Sequence, residues 1–145
     1  MFKLPIALLG SAALAMAMAV AVTPTAAHDT EALAEAPPPA PYAKVSELVK
    51  LPDFLPGLGT LYVDPATLPA GPFLGYDHDG KLSATIYMTP IAALQDGTAY
   101  DDLTLGSHEV ESVDIYYNAG HPGVEEPHVH VVLFHDDGAK ARLAE

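Results

Sequence analysis

The sequence predicts an α+β fold built mainly of antiparallel β-strands. Short segments of alternating apolar and polar residues, rich in β-branched and aromatic side chains, follow one another and are bounded by Gly, Pro or Asp. Helical periodicity is confined to one or two short stretches. The sequence therefore indicates a small antiparallel sheet or an open barrel, with one or two short helices.

The first half of this pattern is delimited by proline and glycine. One or two helical turns are predicted over 45–50, and they end at Leu51 because a residue before proline avoids the helical region. A strand follows over 60–63, and another over 72–77. The sequence from Asp77 to Gly80 is typical of a hairpin turn, since Gly80 tolerates positive φ and Asp side chains bond turn backbone.

The second half continues with a return strand over 81–88, in which Leu82, Ala84, Ile86 and Met88 are expected on one face. Thr89 and Pro90 resemble the N-cap and first position of a short helix over 91–96. Two more strands are predicted, and they span 111–118 and 128–135.

Composition excludes several classes of function. The 145 residues include 6 Lys and Arg against 19 Asp and Glu, a formal net charge of −13. Phosphate backbones and anionic lipid headgroups repel such a chain, so neither nucleic acid nor a membrane surface is an expected partner. The sequence has no Cys, which excludes disulfides, thiol catalysis and cysteine-ligated metals.

Residues 1–27 have the three-part layout of a secretory signal peptide. Lys3 supplies the positive start, an apolar run extends to Val22, and small residues precede a cleavage position after Ala27. An uncleaved membrane anchor is the alternative, but the run is Ala-rich and no basic cluster follows it. We therefore expect a periplasmic or secreted protein that is free of the membrane after cleavage.

Three further regions are predicted in the exported chain. Residues 28–42 are rich in Pro, Ala and Glu and are expected to form a flexible arm. Residues 43–138 form a single β-rich domain, and 139–145 a frayed tail.

The most informative stretch contains four of the seven His residues within 15 positions, 121–135. His128 and His130 lie two residues apart on a predicted strand, so both side chains point to one face. His121 lies in the preceding loop, which can fold back to supply a third ligand, and Glu126 or its neighbour Glu125 can add a carboxylate oxygen. Such a set suits a transition metal, Zn or Cu, whereas His135 has the opposite parity and is excluded.

The surroundings of these histidines leave alternatives open. If the strand over 111–118 pairs with the histidine strand, either Asp114 or Tyr116 can lie opposite and hold the non-ligating imidazole nitrogen. The register is not readable, because a one-residue slip exchanges the two faces. The same histidines can equally be solvent-facing polar residues that bind nothing.

Three classes of function follow. The favoured one is a non-catalytic exported protein that binds a metal ion through its histidines. The second is a metal-dependent enzyme with an open coordination position, in which Glu125, Glu126 or Asp114 would serve as general acid or base. The third is a metal-free stress-response or structural protein of the cell envelope that forms a homo-oligomer through its sheet.

Several segments together resemble a little-characterised family of small exported bacterial proteins. The segments are PGLGTLYVDP, GPFLGYD, TIYM, HPGV and EEPHVH, distributed over residues 45–135. The family includes a protein controlled by a sigma-E and anti-sigma-E pair in a thermophile. The resemblance implies an envelope protein that is stress-linked and oligomeric, and it implies no particular chemistry.

Overall fold

Residues 29–145 fold into a six-stranded antiparallel sheet with three short α-helices, which confirms the predicted α+β class. This fold is seen in a computed structural model that describes residues 29–145, so the predicted signal peptide lies outside the described residues. The strand order is β1-β2-β3-β4-β6-β5, and the sheet is open. Between residues 29 and 145, no helix is both long and apolar enough to span a bilayer.

The six strands and three α-helices follow one another within residues 29–145. Their bounds are β1 Ala43–Lys44, α1 Val45–Leu48, β2 Thr60–Val63, β3 Phe73–Tyr76, β4 Leu82–Pro90, α2 Ile91–Gln95, β5 Ser112–Asn118, β6 His128–Phe134 and α3 Ala139–Leu143.

Apolar side chains cover both faces of the sheet. The larger cluster includes Val63, Phe73, Ile86, Val132 and Leu143, each at most 3% exposed. The smaller cluster, on the other face, comprises Leu33, Leu74, Tyr76 and Leu82. The sheet is therefore the middle layer of the molecule, and the larger cluster surrounds the functional site described below.

The return strand β4 departs from strict alternation at its start. The register between β3 and β4 shifts at Gly75 and Tyr76, so that Gly75 lies opposite Ala84 but Tyr76 lies opposite Leu82. Leu82 consequently packs in the smaller cluster, whereas Ala84, Ile86 and Met88 pack in the larger one. The prediction that all four share a face is wrong for Leu82, because a bulge inserts one extra residue.

The start of α2 also differs from the prediction. Thr89 and Pro90 belong to β4 and lie opposite Val129 and His128 of β6. Pro90 is the N-cap, and the helix runs from Ile91 to Gln95. Strand pairing along the whole of β6 extends β4 and moves the helix start by one residue.

Residues 29–42 lie against the domain and do not form the predicted free arm. Leu33 is 3% exposed in the smaller cluster, and the Tyr76 hydroxyl donates a 2.8 Å hydrogen bond to its carbonyl. The amide of Leu82 donates to the carbonyl of Ala34, and the amide of Ala36 to the carbonyl of Gly80. Composition suggested a polar, flexible arm, but buried Leu33 and the backbone hydrogen bonds hold this segment against the sheet.

The C-terminal residues form α3, where a frayed tail was predicted. Ala139 and Leu143 are fully buried against the larger cluster. Arg142 contacts Asp77 at 2.7 Å and Asp136 at 2.9 Å. The Asp77 partner lies far from the tail in sequence, which is why the local charge pattern suggested fraying.

Candidate metal centre

Strand β6 carries two of the three histidines of the candidate site. Side chains of β6 alternate between buried and half-buried, and His128 and His130 lie on the buried side with Val132 and Phe134. His128 is 0% exposed and His130 is 3% exposed. The two imidazoles therefore point into the larger core face, as the two-residue strand period requires.

A tight turn brings the third histidine back to the strand. The amide of His121 donates to the carbonyl of Val124, and the amide of Val124 donates to the carbonyl of His121. Pro122 and Gly123 occupy the corner, and Gly123 has φ +92°, which a glycine adopts without strain. Val124 is buried in the core and anchors the turn, so His121 is held beside β6.

The three imidazoles meet at their Nε2 atoms. His128 Nε2 lies 2.9 Å from His130 Nε2 and 3.2 Å from His121 Nε2. One nitrogen of each ring falls within a group whose members are all within 4.8 Å of one another. The ring of His121 stands nearly perpendicular to that of His128, at 86°, so the donors converge from different directions.

The other nitrogen of each ring is engaged in a hydrogen bond. His128 Nδ1 donates to the carbonyl of Glu126 at 2.7 Å, and His121 Nδ1 to the carbonyl of Pro122 at 3.1 Å. His130 Nδ1 lies 3.1 Å from the Tyr116 hydroxyl, its neighbour across the β5–β6 pair. A carbonyl only accepts, so Nδ1 carries the proton in His121 and His128 and leaves the Nε2 lone pair free.

This arrangement has a direct electrostatic consequence. With Nδ1 protonated in His121 and His128, their Nε2 lone pairs face one another at 3.2 Å, which is repulsive unless a cation lies between them. The Tyr116 hydroxyl can accept from or donate to His130 Nδ1, and when it accepts, the Nε2 lone pair of His130 is free as well. In a tetrahedral zinc site with Zn–N of about 2.0–2.1 Å, neighbouring nitrogens are about 3.3 Å apart. The spacing of the Nε2 atoms is close to that value, and the three histidines could hold a metal ion.

Burial favours the neutral, metal-binding form of His130. Loss of solvent, together with the neighbouring rings of His128 and His121, lowers the pKa of His130 to about 4. At neutral pH this ring is therefore uncharged, and no proton has to be displaced from an imidazolium before a metal ion binds.

The structure places the other predicted site residues elsewhere. Glu126 is exposed and contributes its backbone carbonyl to His128, and its carboxylate is not in the cluster of mutually close ligand atoms. Glu125 is exposed as well. Asp114 pairs with Lys140, so Tyr116 is the group that holds an imidazole from β5. His135 lies on the opposite face, between Thr85 and the carbonyl of Glu109.

An apolar cavity of about 320 Å³ adjoins the histidines, and no local sequence pattern indicated it. His121, His130, Tyr116 and Asn118 line part of it, and its remaining walls come from the larger core face, α1 and the loops after α1 and β2. These segments are far apart in sequence, so only the folded chain brings them together.

Fold and site together define an α+β protein with a cluster of three histidines, two of them buried and His121 half-buried. Neither the protein-family models nor the curated proteins include a match to this chain. Among solved structures, the hypothetical protein TTHB210 from Thermus thermophilus matches with a TM-score of 0.58 and 41% identity. The match covers 66% of this chain and 94% of that one. The chain belongs to the same family as TTHB210.

Proposed function

We propose that this protein binds a transition metal ion, zinc or copper, through the Nε2 atoms of His121, His128 and His130, in a non-catalytic role. The observation that carries the proposal is the convergence of three Nε2 atoms, each on a ring whose Nδ1 already has a hydrogen-bond partner. Without a cation the Nε2 lone pairs of His121 and His128 repel one another, and a divalent cation turns the same geometry into a stabilising one.

The donor set supports zinc or copper over harder cations. Three imidazole nitrogens suit Zn and Cu, whereas Mg and Ca prefer oxygen ligands. Among residues 29–145, the group of mutually close ligand atoms contains the three histidine nitrogens and no carboxylate oxygen of Glu126. The protein would therefore supply three nitrogen ligands to the metal ion. The fourth position of a tetrahedral ion would face away from these three rings.

A metal-dependent enzyme is the alternative that the open fourth position suggests. A bound metal would supply Lewis acidity there, and the chain would have to provide a proton donor or acceptor. Asp114 pairs with Lys140, and Glu125 and Glu126 are exposed. Since one of these carboxylates is engaged in an ion pair and the other two are exposed to solvent, we favour binding over catalysis.

We also propose that the mature protein acts outside the cytoplasm, in the periplasm or in the medium. The layout of residues 1–27 supports export and cleavage after Ala27. Removal of Lys3 changes the balance of charge to 5 basic against 19 acidic residues, or −14. Intact mass of the exported protein would test this, and a retained N-terminus in the membrane fraction would contradict it.

Calorimetric titration of Zn²⁺ and Cu²⁺ into protein comprising residues 28–145 tests the metal proposal. We expect one ion per chain, and we expect His121→Ala to weaken binding by more than the ~10–100-fold that a lost outer-sphere partner costs. His121 is half-buried in a loop, so this variant should fold, and His130→Ala should show the same loss. His108→Ala, at an exposed position, is the matched control. Equal affinity in wild type and His121→Ala would refute the site.

One observation favours self-association as a second property. Edge strand β5 exposes Val113, Ile115 and Tyr117 at 47%, 69% and 61%, on the face opposite the histidines. Their cross-strand neighbours on β6 are the half-buried Leu133, Val131 and Val129. An uncovered apolar surface of this kind is typical of a subunit interface.

Light scattering coupled to size exclusion tests assembly through this surface. We expect the wild-type chain to form a homo-oligomer and Ile115→Lys to shift it toward the monomer. Leu68→Lys changes a 45% exposed leucine on the histidine side of the sheet and should leave the mass unchanged. A wild-type monomer at high concentration would contradict the assembly.

A further inference from the structure

The apolar cavity beside the histidines has a chemically distinct end. His121 and His130 lie there with Tyr116 and Asn118, whereas the other described lining residues are apolar or glycine. Leu61, Val63, Phe73, Ile86 and Met88 form the sheet side of these walls. A molecule in the cavity would therefore meet polar groups at one end only.

Charge restricts what this cavity can accept. None of the described residues that line it is Asp, Glu, Lys or Arg. A second charged group on a ligand would be buried against apolar walls without a partner, which is strongly unfavourable. A divalent ion on three neutral imidazoles, however, leaves an uncompensated positive charge in this low-dielectric site, and an anionic oxygen ligand would compensate it.

Size restricts the ligand further. At the ~30 Å³ that a water molecule occupies in the liquid, a cavity of about 320 Å³ holds about ten non-hydrogen atoms. Leu48 and Leu68 are lining residues that are 43% and 45% exposed, so they mark an apolar rim through which a ligand can enter.

From these observations we propose that the cavity binds a small amphipathic monocarboxylate, whose carboxylate completes the coordination of the metal and whose apolar body fills the cavity. The inference rests on the proposed metal site. The metal-loaded protein would take a ligand with one anionic head, one apolar body and about ten non-hydrogen atoms.

Octanoate, which has about ten non-hydrogen atoms, is the probe for this proposal. Calorimetric titration into zinc-loaded protein should show one binding event per chain. Affinity should be at least about tenfold weaker for chelator-treated protein, which lacks the metal, and for octanedioate, which has a second carboxylate. Binding of octanedioate as tight as that of octanoate would overturn the proposal.

Two matched variants locate the ligand in the cavity. Leu68→Glu places a negative charge on the apolar rim and should weaken octanoate binding at least about tenfold without changing zinc affinity. Leu94→Glu makes the same change at a 43% exposed leucine of α2 and should change neither affinity. Equal octanoate affinity in the two variants would overturn the placement.

Cobalt substitution distinguishes the metal-bound head from simple insertion of the tail. Co²⁺ in the site should show a visible spectrum that changes when octanoate is added. If Zn²⁺ and Co²⁺ bind through the histidines but octanoate does not, the ligand inference fails and the proposed function stands. If neither Zn²⁺ nor Co²⁺ binds through the histidines, the ligand inference and the proposed function both fail. Octanoate affinity that is the same with and without metal would overturn the inference alone.

Discussion

At the scale of single residues, each histidine of the cluster is oriented by the bond that its second nitrogen makes. Two of the partners are backbone carbonyls, of Pro122 and Glu126, and the third is the Tyr116 hydroxyl. Each partner on Nδ1 fixes the direction of Nε2, and the two carbonyls also fix the tautomer of their rings, so the histidines are oriented before a metal arrives. The carbonyl partners cannot be removed by substitution, but Tyr116 can.

Tyr116→Phe should therefore weaken metal binding without abolishing it. The substitution removes the oxygen that lies 3.1 Å from His130 Nδ1 and keeps the ring. Loss of an outer-sphere partner costs about 10–100-fold in metal affinity, so a drop near the lower figure is expected in a zinc titration. Tyr117→Phe, on the other face of β5, is the matched control. An unchanged affinity in Tyr116→Phe would show that the hydroxyl does not support the site.

His135 should make the stability of the fold depend on pH. Burial lowers the pKa of this ring, against smaller raising effects from the Glu109 carbonyl and Asp136. An unfolded His titrates near a pH of about 6.5, so below that pH the unfolded chain binds more protons than the folded one. The contribution of His135 is thus complete above about pH 6.5 and decreases as the pH falls toward its lower folded-state pKa.

Urea unfolding of metal-free protein at about pH 7.5 and about pH 5, on either side of the ordinary His pKa, measures this contribution. His135→Gln should lose less stability between the two pH values than wild type does, because the titrating group is gone. His108→Gln, at an exposed position, should follow wild type. The same pH dependence in wild type and His135→Gln would contradict this role of His135.

Part of the site was predictable from the sequence. Strand parity brings His128 and His130 together and separates His135, because parity is a local property of the backbone. The choice between Asp114 and Tyr116 depended on the register between β5 and β6, which a one-residue slip would reverse. Glu126 was expected as a ligand from proximity in sequence, but its carbonyl contacts His128 while its side chain is exposed.

At the scale of elements, helix α3 is held to the sheet by a charge network as well as by Leu143. Arg142 contacts Asp77 at 2.7 Å and Asp136 at 2.9 Å, and its guanidinium also donates to the Ser83 hydroxyl. The Asp77 side chain is only 3% exposed. Desolvation is the largest single effect on its pKa and raises it, but hydrogen bonds from backbone amides, Arg142 and Ser83 together outweigh desolvation. The pKa of Asp77 is therefore lowered. Removal of the guanidinium would leave this carboxylate buried without its ionic partner.

Arg142→Met should accordingly lower the free energy of unfolding by about 3 kcal/mol. Lys140→Met, on the same helix, removes an ion pair with Asp114 whose side chains are 61% and 39% exposed. An exposed pair contributes at most about 1 kcal/mol, so this control should be nearly neutral. Chemical denaturation measures both, and equal effects would show that the network around Asp77 does not anchor α3.

Residues 29–42 provide the second anchored segment. Leu33 inserts into the smaller cluster at 3% exposure, and Leu33→Ala should cost about 2–3 kcal/mol of unfolding free energy. Leu103→Ala, at a 44% exposed position, should change it by less than about 0.5 kcal/mol. An unchanged thermal midpoint in Leu33→Ala would support the free arm that composition predicted.

Elements with a strong local signal were predictable, and those defined by distant contacts were not. Strand β2 has the bounds that its flanking glycines and Asp64-Pro65 indicate, and the hairpin turn at Asp77 closes through Gly80 with φ +79°. Helix α3 and the docking of residues 29–42 depend on partners elsewhere in the chain, such as Asp77 and Tyr76. Composition alone describes such segments as polar or flexible.

At the scale of the whole molecule, the two faces of the sheet have different surroundings. One face carries the larger cluster, the histidines and the cavity. The other face is covered near β3 and β4 by Leu33 and by the loop whose Thr104 carbonyl accepts a hydrogen bond from the Tyr87 hydroxyl. On the same face, the β5 side chains Val113, Ile115 and Tyr117 stay exposed. Metal binding and self-association would therefore use opposite faces of one sheet.

The overall class was also predictable from the sequence, since alternation and turn residues indicate antiparallel strands whatever their order. The cavity could not be predicted, because its walls combine residues from α1, the sheet and three loops. A cavity of this kind results from packing between distant segments, and no local sequence pattern predicts it.

Anomalous scattering at the zinc edge from crystals of the zinc-loaded protein tests the central claim most directly. We predict one ion per chain, at about 2.0–2.1 Å from Nε2 of His121, His128 and His130, with Nδ1 of His130 still bonded to Tyr116. An ion bound through surface carboxylates instead, or an unchanged histidine cluster without an anomalous peak in the presence of excess zinc, would contradict it.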